Sequence, residues 1–187
     1  METRERLVRS ASELFWERGY VGTSPRAIQQ RAGAGQGSMY HHFEGKHSLA
    51  VHAIGATADE IRVRAEAVFA GSGSALERVL AYLQMRREAL KGCPVGGLAQ
   101  DSEVVADSEL RRPIEAFLSW LADELAHLLA EAQRDGELSR SLEPAAVAAT
   151  VVATVQGGYV LARASQDPAV QARAIEGVVA LLRREDT

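Results

Sequence analysis

At 187 residues the chain fits one or two small domains and can bury a substantial core. Ala, Leu, Val, Glu and Arg are abundant and proline occurs five times, which favours an all-helical protein over a mixed one. A single cysteine, Cys93, excludes an internal disulfide framework. No uninterrupted apolar run reaches the roughly 18 residues of a membrane span. The charged start METRERLVRS lacks the apolar core of a signal peptide, so a cytoplasmic protein without membrane partners is expected. The net charge of -4 rules out a polycation, but its distribution is uneven. Residues 1–50 carry seven basic and five acidic side chains, and the remainder carries 14 basic and 20 acidic. A mildly basic head on an acidic body suits one DNA-binding end.

Leu7, Val8, Ala11, Leu14 and Phe15 recur at helical spacing, with Thr3 as a cap, Arg18 near the end and Gly19 as the stop. Ser24 then caps a short helix whose first position suits Pro25; Ile28 faces inward, and Ala32-Gly33 ends it in a tight turn. A second short helix over roughly Gly35 to His42 carries Gln36, Ser38, Tyr40, His41 and His42. Two short helices around a glycine-bearing turn make a helix-turn-helix, whose second helix enters the DNA major groove. Phe43 is expected to pack back onto the first stripe.

A long helix is predicted from Lys46 to about Ala70, with Leu49, Ala53, Ile54, Ile61, Ala65 and Val68 on its buried side. It links head to body. After Gly71-Ser72-Gly73, Ser74 and Glu77 fit a capping box for a helix reaching about Lys91. Gly92 to Gly97 is irregular, and a short helix is expected over Leu98 to Ala106. The next runs from Asp107–Arg112 to Gln133, with Pro113 near its start and Phe117, Leu118, Leu121, Leu125 and Leu128 inward; Gly136 closes it. Two last helices are predicted over Pro144 to Ala164 and Pro168 to Arg184, the second opened by Asp167-Pro168. The first is dense in Ala145, Ala146, Ala148, Ala149, Ala153, Gly157 and Gly158, which permits close helix approach inside the body or across a dimer. About nine helices and no strands are expected.

The head resembles the TetR family of bacterial transcriptional regulators. The matching residues are Thr3-Arg4-Glu5-Arg6, Leu14-Phe15-x-x-Arg18-Gly19-Tyr20, Thr23-Ser24, Ile28, Ala32-Gly33, Gly37-Ser38-Met39-Tyr40-His41-His42-Phe43 and Lys46. Fixed spacing over about fifty residues makes the likeness specific, and Gly92-Cys-Pro-Val-Gly-Gly-Leu98 looks closest to the LmrA/YxaF-type branch. The resemblance implies an N-terminal helix-turn-helix domain over residues 1–46 and a ligand-binding and dimerisation domain over 47–187. It implies a homodimer joined by the last two helices, a double-stranded operator, a small-molecule inducer and usually repression, with no cofactor and no catalysis. Where family members commonly have Val-Ser-Lys, this chain has Ala34-Gly35-Gln36. It thereby loses a hydroxyl cap and a cation aimed at DNA, and the free recognition helix is expected to fray.

Within this frame the DNA-contacting set is Ser24, Pro25, Arg26, Gln36, Gly37, Ser38, Met39, Tyr40, His41, His42 and Lys46. Glutamine can pair bidentately with adenine, so Gln36 is the preferred base reader, with Ser38 beside it. Tyr40, His41 and Lys46 suit phosphate, and Ser24, Pro25 and Arg26 bring the end of their helix to the backbone. The competing reading of Gln36 and Arg26 is plain solvated surface. His41 and His42 diverge by about 100° on a helix and have no thiol or carboxylate at ligand spacing, which argues against zinc. Cys93 is a thiol sensor only if exposed beside a cation such as Lys91, and otherwise a small core residue. Tyr82, Met85, Arg86, Phe117, Trp120, Gln156 and Tyr159 mix aromatic walls with polar handles, as pockets for lipophilic inducers do; core and interface is the alternative. No nucleophile–base pair, phosphate loop or metal set supports an enzyme.

Overall fold

The computed structural model describes residues 2–183, so Arg184, the expected end of the last helix, lies outside the described residues. Among them stand nine α-helices and one 3-10 turn, with no strand. The helices are α1 (Thr3–Arg18), α2 (Pro25–Ala32), α3 (Gln36–His42), α4 (Lys46–Phe69), α5 (Ala75–Leu83), α6 (Ser102–Ala106), α7 (Ser108–Arg134), α8 (Pro144–Ser165) and α9 (Ala169–Leu182); the 3-10 turn is Gly96–Gln100.

Most ends follow from capping chemistry. The Ser24 hydroxyl accepts the Ala27 amide and Gly33 takes the left-handed conformation (φ 59°, ψ 37°), which fixes both ends of α2. Ser74 and Glu77 form the reciprocal box expected for α5. Three expectations are corrected. The N-cap of α1 is Glu2 rather than Thr3, through a reciprocal Glu2–Glu5 pair. The fifth helix stops at Leu83, not near Lys91, because the Arg87 guanidinium donates to the carbonyls of Tyr82, Leu83 and Met85 and satisfies its open end. The expected helix over Leu98–Ala106 is two pieces, divided where Asp101 caps α6 by accepting the Glu103 amide. The last helix opens at Asp167-Pro168 as expected: the Asp167 carboxylate accepts the Ala169 amide and Pro168 already has helical dihedrals (φ -64°, ψ -22°). Pro113 lies inside the sixth position of α7, and Gly136 (φ 80°) follows its end.

The described chain divides into two compact units. The first takes the chain up to Ile61 together with Cys93–Phe117. Its core holds Leu7, Leu14, Phe15, Ile28, Met39, Phe43, Leu49 and Ile54, and also Val95, Leu98, Val104 and Leu110. Cys93 is buried, and its sulfur accepts the Gly96 amide. The second unit takes Arg62–Gly92 and the chain from Leu118 onward, with Phe69, Val79, Leu83, Leu121, Leu125, Leu129, Val151 and Val155 buried. On α4 the buried side carries Ala50, Ala58 and Phe69 besides the expected Leu49, Ala53, Ile54 and Ala65, while Ile61 and Val68 are only half-buried. In the second unit α8 packs along α9 at Gly158, where a Cβ would fall 2.9 Å from Gln171 Cγ. Glycine is what permits that approach. Among the described residues α8 is the one helix long and apolar enough to cross a membrane.

Candidate nucleic-acid interface

α1 packs against both α2 and α3, and side chains tie the three together. Arg6 Nε donates to the Ala32 carbonyl (3.1 Å) at the end of α2, and Gln29 Nε2 donates to Met39 Sδ (3.3 Å) across to α3. Met39 and Phe43, the residue that ends α3 and whose amide donates to the Met39 carbonyl, are both buried. Arg4 stacks over the Phe43 ring at 5.4 Å and His52 meets it edge-on. These two side chains therefore hold α3 down. Met39 thus departs from its expected role: its side chain is fully buried and belongs to the core rather than to a DNA-facing edge.

The rest of α3 is left to solvent. Gln36, Gly37, Tyr40, His41 and His42 are exposed and Ser38 is half-buried; Tyr40 keeps 50% of its surface accessible. α3 starts at Gly35 with no side-chain cap. Cβ atoms added at Gly35 or Gly37 would meet nothing within 4 Å. Ser24 and Arg26 are exposed at the start of α2, with Pro25 half-buried between them.

Much of the head's positive charge is used internally. Arg31 forms a two-pronged pair with Glu17 (2.8 Å each) and approaches Glu13. The Lys46 ammonium lies 3.9 Å from the centre of the Tyr20 ring, a cation–π contact. Burial pushes its pKa below the usual lysine value, partly opposed by Glu103 and Asp101. Burial also raises the Tyr20 hydroxyl, helped by Glu103, Asp107 and Asp101. His47 Nε2 lies 3.0 Å from Asp107 Oδ2. Amides of Leu110 and Glu109, with His47, hold the Asp107 carboxyl below the usual range.

Sequence reasoning missed the acids that reach this head from the 93–117 segment. Asp101 Oδ2 accepts the Val21 amide at 2.9 Å across 80 positions, and Asp107 reaches His47 across 60. The one legible signal was their type: each is an aspartate just before a serine that starts a helix. No local spacing reveals the distant partner.

The residues expected around an inducer do not all gather. Tyr82 (buried) and Trp120 (half-buried) both meet the Phe69 ring, at 5.4 and 6.3 Å, and Arg62 stacks over Trp120 at 4.6 Å. Phe69 and Arg62 were not anticipated there. Met85, Gln156 and Tyr159 are half-buried, and Arg86 is exposed beyond the end of α5. Phe117 is buried and belongs to the first unit. No group of three or more potential metal ligands assembles among the described residues.

Comparison with known proteins matches this geometry. Residues 7–53 match the family described as "Bacterial regulatory proteins, tetR family", and residues 73–178 match "Tetracyclin repressor-like, C-terminal domain". The chain is 30% identical to the HTH-type transcriptional regulator LmrA of Bacillus subtilis (strain 168) over 168 residues, 86% of each protein. It is 24% identical to the HTH-type regulator YxaF of the same strain over 98% of this chain and 97% of that one. A TetR regulator from Chloroflexus aurantiacus J-10-FL superposes with a TM-score of 0.86 at 26% identity, covering 98% and 95% of the two chains. With both parts matched and the helix-turn-helix in place, the chain belongs to the TetR family of DNA-binding transcriptional regulators.

Proposed function

We propose that the protein is a cytoplasmic, ligand-responsive repressor that binds a palindromic operator as a homodimer and is released by a small lipophilic inducer. The observation that carries the DNA assignment is the division of α3 and its end: Met39 and the following Phe43 are buried, while Gln36, Tyr40 and His41 stay exposed. Gln36 and Ser38 read base edges. Tyr40, His41 and His42 hold phosphate, with Ser24, Pro25 and Arg26 bringing α2 to the backbone and Gly37 allowing close approach.

The dimer is assigned to α8 and α9. Ala149, Ala153, Val160 and Ala164 lie exposed along one stripe of α8 with half-buried Gly157, and Leu161 and Leu181 are 54% and 64% exposed. An apolar helix so thinly covered suits a second copy of the chain. Two heads then read half-sites about 34–36 Å apart, or a multiple. The inducer is assigned to the aromatic group of Phe69, Tyr82 and Trp120 in the second unit. It shifts the population toward a conformation whose heads no longer fit DNA, and α4, which runs from one unit into the other, carries the difference. A thermal-shift screen of lipophilic compounds followed by operator titration tests this. Compounds that raise the Tm should weaken operator binding. Saturating ligand with unchanged operator affinity would falsify the mechanism.

A further inference from the structure

The loop between α1 and α2 is short and conformationally demanding. Gly19 has a positive φ of 74°, and a Cβ at Gly22 would stand 2.3 Å from the Arg18 carbonyl oxygen. The Thr23 amide closes a turn onto the Tyr20 carbonyl (3.2 Å), and the buried Thr23 hydroxyl donates to Gly19 O (2.8 Å). Such a turn leaves the amide of its second residue, Val21, pointing outward with no acceptor inside the turn. Asp101 supplies one: Oδ2 takes the Val21 amide at 2.9 Å, while Oδ1 takes the Glu103 amide at the start of α6. A Cβ on Gly19 would lie 3.3 Å from the same Oδ2, so the carboxylate sits directly against the loop. One side chain thus bonds at once to the start of α6 and to the turn immediately before Ser24, the cap of α2.

We propose that Asp101 is a positioning residue for DNA binding: by fastening the Tyr20–Thr23 turn to α6, it sets where α2, and α3 packed on it, stand for the operator. The proposal rests on DNA reading by α3. Its sign is diagnostic. An acid near DNA repels phosphate, so loss of the charge alone strengthens binding to every sequence. Loss of positioning weakens binding to the correct sequence.

The test uses the full chain, a duplex enriched from a random pool on the wild-type protein, and a scrambled duplex of equal length. Asp101→Ala is expected to weaken the enriched duplex about tenfold or more, as for a lost hydrogen bond to a charged group, while the scrambled duplex binds equally or tighter. Asp101→Asn, with one acceptor oxygen left, falls between. Glu103→Gln removes the same charge two residues on and should leave the enriched-to-scrambled ratio within about twofold, as exposed charges usually do. Amide exchange at Val21 should quicken in both Asp101 variants while the amides of α1 stay protected. An unchanged ratio in a folded Asp101→Ala protein overturns the proposal, as does equal weakening of both duplexes. Failure of both Asp101 variants to fold also overturns it, because the residue then serves the fold. A wild-type protein that enriches no sequence fails differently: it removes the DNA reading on which the proposal stands.

Discussion

α2 and α3 are neighbours of nearly equal length, eight and seven residues, yet they are secured in opposite ways. α2 has a side-chain cap at Ser24, a first-position proline and a left-handed glycine at its end. α3 has neither a side-chain cap nor a glycine stop, and opens on Gly35 and Gln36-Gly37. It is held by two buried side chains, Met39 and Phe43, and by the bond from Gln29. The difference is instructive about reading elements. A helix pinned from beneath can leave nearly every other side chain uncommitted to the fold, which is what a base-reading edge needs. Its weak local propensity is the cost, about 1 kcal/mol for an interior glycine relative to alanine.

That contrast can be broken from beneath. Met39→Ala should destabilise the protein most, by about 2–5 kcal/mol, as buried Met-to-Ala changes do. Urea unfolding measures it, and a loss within error would mean α3 is anchored by something other than its buried face. Ser24→Ala comes next: removing a hydroxyl cap should cost about 1 kcal/mol, again by urea unfolding. Gly37→Ala has the opposite sign. With open space around the new methyl, it should stabilise α3 by up to about 1 kcal/mol and reduce the ordering that remains to be done on DNA. Amide exchange within α3 should slow; faster exchange would show that Gly37 is needed by the backbone. Gln36→Ala should scarcely move stability, within about 0.5 kcal/mol, because Gln36 is exposed.

Much of this was legible in the sequence, since the signals are local. Ser24-Pro25 and Gly33 define α2, Ser74 with Glu77 opens α5, and periodic Leu and Phe mark the core of α1 and α7. The end of α5 and the place of Asp101 turn on a donor or a partner that no local pattern shows. Nothing near Leu83 announces that Arg87 will fold back and end α5. The +2 charge of residues 1–50 suggests a cationic face, but Arg6, Arg31 and Lys46 are spent on Ala32, Glu17 and Tyr20 within the head. Asp101 reads from sequence as a cap for α6, and only the fold brings it to Val21. Met39 is a further lesson. Family likeness placed it in the DNA-contacting stretch, whereas its side chain is fully buried and takes the Gln29 bond.

The most direct measurement is sequence enrichment from a random duplex pool, run in parallel on the wild-type protein and Gln36→Ala. The wild type should enrich a two-fold symmetric site, with binding that falls as salt rises. Gln36→Ala should lose base preference at one symmetry-related pair of positions, by about 1–3 kcal/mol of discrimination, and keep the rest of the site. Identical enriched sites for the two proteins would contradict the assignment of base reading to the exposed edge of α3.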